Sequence, residues 1–219
     1  IEGPPLVISS DINYVNEFKP SFSSEERTRS YLKVQDGCDY ICSFCTIPMA
    51  RGKSRSGTIK STVAEAKKII SFNNQEIVLT GVNIGDFGKK NDESFIDLLK
   101  ALDNIEKLKR IRISSIEPNL LTDDIIAFCN VSKKLMPHFH IPLQSGSDKI
   151  LRLMRRRYDT KIYKERIEKI LKTNLEICIG VDAIVGFPGE TYEDFLETYH
   201  FLNELNIAYL HVFSYSERD

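Results

Sequence analysis

Gly37-Cys38-Asp39-Tyr40-Ile41-Cys42-Ser43-Phe44-Cys45 places three of the chain's five cysteines within eight residues, in the order Cys-x3-Cys-x2-Cys. Along a strand, positions 38, 42 and 45 do not all fall on one side, so the three thiols serve no common sheet face. They can wrap a loop around a compact inorganic group. Thiolates select soft metals, either zinc or iron–sulfur clusters. A structural zinc site pairs its ligands in two knuckles, and no second Cys-x2-Cys or His-x3-His pair follows. A disulfide framework calls for an oxidising compartment and dense cysteine usage, whereas five in 219 residues is sparse and odd. The spacing therefore points to an iron–sulfur cluster, normally held by four cysteines. Either Cys129 or Cys178 supplies the fourth thiolate, or one iron stays open for another ligand.

A loop of this kind needs a rigid platform, and the hydrophobic pattern predicts one. Apolar runs read as strands at 31–35, 76–80, 110–114, 138–143, 177–185 and 209–213. Helical spacing falls between them, at 61–74 (Val63, Ala66, Ile69, Ile70), around Phe95–Leu102, and at 122–130, 147–157, 161–172 and 192–205. Ser61 and Thr62 read as the N-cap candidates of the first helix. Six strands alternating with helices predict parallel pairing through right-handed crossovers. Six units fall short of the eight in a closed barrel, so the expectation is an α/β fold, a partial (β/α)6 TIM-like barrel. Active sites in such folds gather at the carboxyl ends of the strands, where the cysteine loop would lie. The other strand ends are polar: Thr80-Gly81-Val82-Asn83, Ser114-Ser115-Ile116-Glu117, Pro142-Leu143-Gln144-Ser145 and Gly186-Phe187-Pro188-Gly189-Glu190. Together on one rim they predict a small polar ligand facing the cluster.

Composition is that of an ordinary globular chain, 42% hydrophobic and 28% charged with net charge −1, which signals neither disorder nor nucleic-acid binding overall. No apolar run approaches the roughly 20 residues of a membrane-spanning helix. Reduced cysteines without an export signal predict a cytoplasmic protein. Residues 1–30, rich in Gly, Pro and Ser, read as a linker from an upstream domain, with the core domain over 31–219; Ser23-x-x-Glu26 resembles a capping box but leads into no helical pattern. Between Lys149 and Lys172 lie ten Lys or Arg against three Asp or Glu, centred on Arg155-Arg156-Arg157. Such a stripe reads either as a solvated helix face or as a phosphate-binding surface. Cys129, Cys178, His138 and His140 read as core residues, and His211 could approach the site.

Cys38-x3-Cys42-x-Phe44-Cys45 resembles the signature of radical S-adenosylmethionine (SAM) enzymes, including the aromatic residue before the last cysteine. Thr46-Ile47-Pro48-Met49-Ala50-Arg51-Gly52-Lys53-Ser54-Arg55-Ser56, Leu143-Gln144-Ser145-Gly146-Ser147, Met154-Arg155-Arg156, Ile184-Val185-Gly186-Phe187-Pro188-Gly189-Glu190-Thr191 and Phe213-Ser214-Tyr215-Ser216-Glu217-Arg218 are similar to the methylthiotransferases within that group. Ala50-Arg51-Gly52-x-Ser54-Arg55-Ser56 and Ile113-Ser114-Ser115-Ile116-Glu117-Pro118 look most like the branch acting on tRNA N(6)-threonylcarbamoyladenosine beside the anticodon. Relatives act on isopentenyladenosine in tRNA or on a ribosomal-protein aspartate, and a non-catalytic iron–sulfur redox module is the rival of another class.

The resemblance implies a [4Fe-4S] cluster on Cys38, Cys42 and Cys45, with SAM on the open iron. Its reductive cleavage would give a 5′-deoxyadenosyl radical that abstracts hydrogen from C2 of the adenine at position 37. It further implies Phe44, Gly81, Asn83, Ser115, Gln144, Ser145, Ile184 and Val185 around SAM, and Arg51, Glu117, Arg156 and Arg157 toward the substrate. A second [4Fe-4S] cluster would reside in an absent amino-terminal domain, and RNA binding in an absent carboxyl-terminal one. The fragment alone is then expected to bind one cluster and SAM without completing sulfur insertion. The implied partners are the tRNA anticodon stem-loop and a reductant such as flavodoxin or ferredoxin, with no DNA or membrane partner.

Overall fold

In the computed structural model, residues 11–23, 28–173 and 176–217 are described. Residues 1–10 of the predicted linker, Glu26 of the capping-box-like Ser23-x-x-Glu26, and Arg218 of the last family-like motif lie outside them. Strand β1 (Ser21–Phe22) pairs antiparallel with β2 (Ser30–Lys33), so part of the predicted linker forms a short sheet edge. A two-residue ribbon follows, in which β3 (Gln35–Asp36) pairs antiparallel with β4 (Arg55–Ser56). Between its arms run the cysteine loop and helix α1 (Ile47–Arg51).

Helix α2 (Ile59–Ser71) begins two residues before the predicted start. Its cap is Thr58, not Ser61 or Thr62. The Thr58 hydroxyl accepts the Ser61 N–H at 3.1 Å while the Ser61 hydroxyl accepts the Thr58 N–H at 3.0 Å, closing a reciprocal box. Then come β5 (Glu76–Thr80), α3 (Phe95–Asp103), β6 (Arg110–Ile113), α4 (Asp123–Val131) and β7 (His138–His140). Helix α5 (Asp148–Leu153) ends short of the predicted 157, because Arg155 turns into the left-handed region at φ 57°. Helix α6 (Thr160–Thr173), strand β8 (Cys178–Val185), helix α7 (Tyr192–Glu204) and strand β9 (Tyr209–Ser214) complete the order.

All six predicted strands are present. β2, β5 and β6 pair in parallel, as do β7, β8 and β9. Parallel bridges at Ile111↔Leu135 and Ser115↔His140 join the two sets. Each parallel strand thus neighbours its predecessor, which makes the partial (β/α)6 barrel that alternation predicts. The helices cover the outer wall through one continuous core that includes Leu32, Leu79, Leu98, Ile111, Phe139, Ile167 and Ile179. The loops at the carboxyl ends are left to carry polar residues.

Candidate functional site

Gln35 organises the site. Its side chain is fully buried, and its Nε2 donates to the carbonyls of Asp36 (3.0 Å) and Gly37 (2.7 Å) and to the Ser54 hydroxyl (2.9 Å). Its Oε1 accepts the N–H groups of Val82 (2.9 Å) and Asn83 (2.7 Å). One amide therefore joins the root of the cysteine loop to the loop after β5. Gly37 sits at φ 69°, and a Cβ there would lie 2.1 Å from the Lys53 carbonyl oxygen, so only glycine fits. Asp36 accepts the Gly37 N–H (2.9 Å) and pairs with Arg55 (3.1 Å) and Arg51 (3.3 Å). Burial raises its pKa, but the Gly37 hydrogen bond and the Arg55, Lys33 and Arg51 charges outweigh it and hold the carboxyl below its ordinary value.

Cys38, Cys42 and Cys45 line one cavity of about 230 Å³, shared with Phe44, Asn83, Ser115, Glu117, Gln144, Arg156 and Asp182. An adjoining cavity of about 270 Å³ shares Phe44, Gln144 and Asp182 and extends along Ile184, Phe213 and Tyr215. Seven of the twelve non-cysteine residues named from sequence thus come together: Phe44, Asn83, Ser115, Glu117, Gln144, Ile184 and Arg156.

Five do not. Gly81 serves Gln35, since a Cβ at Gly81 would stand 2.9 Å from Gln35 Oε1. Ser145 is fully buried against α7, sharing a hydrogen bond with Thr198 Oγ1 at 3.1 Å. Val185 alternates away from Ile184 along β8, and its carbonyl accepts the Tyr215 N–H at 2.8 Å. Arg51 pairs with Asp36, and Arg157 lies 4.0 Å over the Tyr40 ring. The basic-stripe reading fails for Arg156. Its side chain is only 4% exposed and is turned inward onto Glu117.

Neither sequence candidate for a fourth thiolate lies at this cavity. Cys129 packs from α4 against the core, where burial pushes its thiol up to about 12, and Cys178 begins β8 opposite His138, at the far end from the cavity. Among the described residues, no further cysteine lines the cavity. Burial pushes the Cys38 thiol up to about 11 despite the Tyr40 N–H directed at it (3.4 Å), and burial raises Cys42 against the opposing Arg156 charge. Such thiols ionise when a cation arrives to be ligated. Among the described residues, the set of possible ligand atoms that all lie within 4.8 Å of one another is His140, Asp182 and His211; the cysteines are spread more widely. A single zinc ion, with Zn–S near about 2.3 Å, would draw thiolates closer than that. Three thiols lining one cavity are a donor set that fits an iron–sulfur cluster.

Sequence reasoning missed Gln35 and Asp182, although a lone Asp inside the apolar run Ile179-Gly180-Val181-Asp182-Ala183-Ile184 is itself a signal. Asp182 Oδ1 bonds His140 Nε2 at 2.9 Å and His211 Nδ1 at 3.1 Å. Both imidazoles flank Tyr209, whose hydroxyl bonds His138 Nε2 at 3.0 Å. Burial raises the Asp182 pKa, but the His140 and His211 hydrogen bonds win and lower it. Its folded-state value is therefore below the unfolded one. The stability it contributes is present above the unfolded pKa and is lost as pH falls through the folded one. Asp182→Asn is expected to flatten the acid limb of a urea-denaturation profile as pH falls through and below the ordinary carboxylate range; an unchanged limb would show the pairing to be energetically idle.

Residues 32–202 match the Radical SAM superfamily. The chain is 44% identical over 201 residues to a threonylcarbamoyladenosine tRNA methylthiotransferase (MtaB) of Bacillus subtilis, covering 91% of this chain and 44% of the relative. It is 37% identical over 216 residues to a tRNA-2-methylthio-N(6)-dimethylallyladenosine synthase of Rickettsia bellii, covering 95% and 48%. The chain spans about half the length of these curated relatives. Among solved structures, the radical SAM methyltransferase TsrM of Kitasatospora setae superposes with TM-score 0.70 at 15% identity, over 84% of this chain and 34% of that one. Coproporphyrinogen III oxidase (HemN) of Escherichia coli gives 0.55 at 17%, over 73% and 36%. At such identities the likeness speaks for the fold alone.

Proposed function

The chain belongs to the radical SAM superfamily, and from that premise we propose that it is the core of a tRNA methylthiotransferase acting at C2 of N(6)-threonylcarbamoyladenosine 37. The observation that carries this reading is a cavity with three free thiols and, among the described residues, no fourth. Cys38, Cys42 and Cys45 would hold a [4Fe-4S] cluster, leaving one iron for SAM. The chemistry such a pair would supply when bound and reduced is a 5′-deoxyadenosyl radical. The chain's own residues fit a charged cosubstrate. Asn83, on the cavity wall, donates its Nδ2 to Asp86 at 3.1 Å while its buried Oδ1 has no partner in the protein. A buried acceptor without a donor is costly, and an ammonium group such as that of SAM would satisfy it. Ser115 and Gln144 add polar groups from neighbouring strand ends, and Phe44 with Ile184 offers apolar wall for an adenine.

The choice of the threonylcarbamoyl branch is supported by relatives of that name at 38–44% identity, against 36–37% for the dimethylallyl type. In this reading the second cluster, the RNA-binding surface and the contacts with the tRNA and with a flavodoxin- or ferredoxin-like reductant belong to the full-length protein, with residues 1–30 as a connection. A cytoplasmic site of action goes with a tRNA substrate; no helix among the described residues is long and apolar enough to cross a membrane. Anaerobic reconstitution of the full-length protein, followed by mass spectrometry of tRNA nucleosides, tests the proposal. The 2-methylthio derivative of the threonylcarbamoyl nucleoside is expected. Methylthiolation confined to an isopentenylated tRNA would reassign the branch, and 5′-deoxyadenosine-free turnover would remove the radical chemistry.

A further inference from the structure

We propose that Arg156 is a positioning residue that raises the reduction potential of the cluster by donating a hydrogen bond to the Cys42 sulfur; this rests on the cluster reading above. Arg156 Nη1 lies 3.0 Å from Cys42 Sγ. The same guanidinium donates through Nη2 to Glu117 and through Nε to the Tyr158 hydroxyl at 3.0 Å, and its Cζ lies over the rings of Phe44 and Tyr158 at 5.9 and 5.0 Å from their centroids. A guanidinium this buried is costly unless paired. Glu117 supplies the pair, leaving one N–H edge committed to sulfur.

Both sides of the contact are fixed by the backbone. The Ser43 N–H and hydroxyl reach the carbonyls of Met154 (3.2 Å) and Leu153 (2.8 Å), so the cysteine loop is docked on the end of α5. The left-handed turn at Arg155 then swings Arg156 back over that loop, and its own N–H bonds the Leu151 carbonyl at 2.9 Å. The Tyr158 hydroxyl, which receives Nε, is itself anchored on the Leu143 carbonyl at 2.8 Å. The donor is therefore held in place before any cofactor arrives.

The electrostatic consequence has a sign. Reduction adds negative charge to the cluster and its thiolates, and a fixed N–H donor on one of those sulfurs favours the reduced form. Low local dielectric strengthens the effect. Glu117 works against it, so the two partners have opposite influences.

The test is an EPR-monitored redox titration of the reconstituted holoprotein without SAM, with iron and sulfide content measured on each variant. Arg156→Lys, which keeps the charge but loses the fork, and Arg156→Gln should both move the midpoint to more negative potential. The reduced-to-oxidised ratio at the wild-type midpoint should fall severalfold; a tenfold fall corresponds to 59 mV for a one-electron couple. Glu117→Gln should move it the other way. Equal midpoints at equal cluster content, or a shift of Glu117→Gln in the same direction as Arg156→Lys, overturn the inference. Should Arg156→Gln fail to hold a cluster, the Lys and Glu117 variants decide alone. A wild-type protein that assembles no [4Fe-4S] cluster overturns the cluster reading itself.

Discussion

Cys38→Ala is expected to reduce 5′-deoxyadenosine formation to the detection limit, while Cys129→Ala leaves it close to wild type. The two thiols are both largely removed from solvent, and both are pushed up by burial, so chemistry at the sulfur alone does not separate them. Position does. Cys38 shares its cavity with the other two loop cysteines, whereas Cys129 packs against the core from α4. In the proposed ligand set, removing one of three would leave a cluster with two protein thiolates, too few for the usual ligand set. Removing Cys129 deletes a small apolar group from a helix, with a cost of about 1 kcal/mol and none to the cavity. Iron and sulfide content should track the activity in both variants. Robust cleavage by Cys38→Ala, or its loss in a folded Cys129→Ala, would sink the ligand assignment.

Gln35→Ala carries the second large effect, on a residue outside the lining of both cavities at the site. The substitution orphans the Val82 and Asn83 N–H groups and removes the donor from the Gly37 carbonyl. Each buried group left unpaired costs about 1–3 kcal/mol, so a loss of about 2–5 kcal/mol is expected in urea denaturation. Cluster retention should fall with it, because the amide is what holds the loop after β5 against the root of the cysteine loop. Gln35→Glu should not rescue it: the carboxylate can still accept from Val82 and Asn83 but would face the carbonyls of Asp36 and Gly37. A change below about 0.5 kcal/mol, the range of an indifferent surface substitution, would show that the linkage is incidental.

The legible part of this protein lies in short-range order. Cys-x3-Cys-x2-Cys announces an inorganic ligand because spacing along a loop decides which ligand sets are reachable. Phe95, Leu98, Leu99 and Leu102 announce a helix because i, i+3 and i+4 share a face, and all four are buried in α3. Six apolar runs separated by such helices leave few topologies, since parallel crossovers share one hand. Asn83, Ser115, Glu117 and Gln144 follow from that, because the rim of a barrel is where strand ends meet.

The remainder was decided between residues far apart in the chain. Arg156 is separated by 114 residues from Cys42, and Gln35 by 48 from Asn83. In sequence, Arg155-Arg156-Arg157 is one uniform basic run. In the fold, the left-handed turn at Arg155 sends Arg156 inward to Glu117 and Cys42 and leaves Arg157 against Tyr40. Residue type and spacing determined what could be bound and on which scaffold. Which polar group meets which sulfur was left to the packing of the barrel, because a side chain's partner depends on strand register and loop closure that no local pattern encodes.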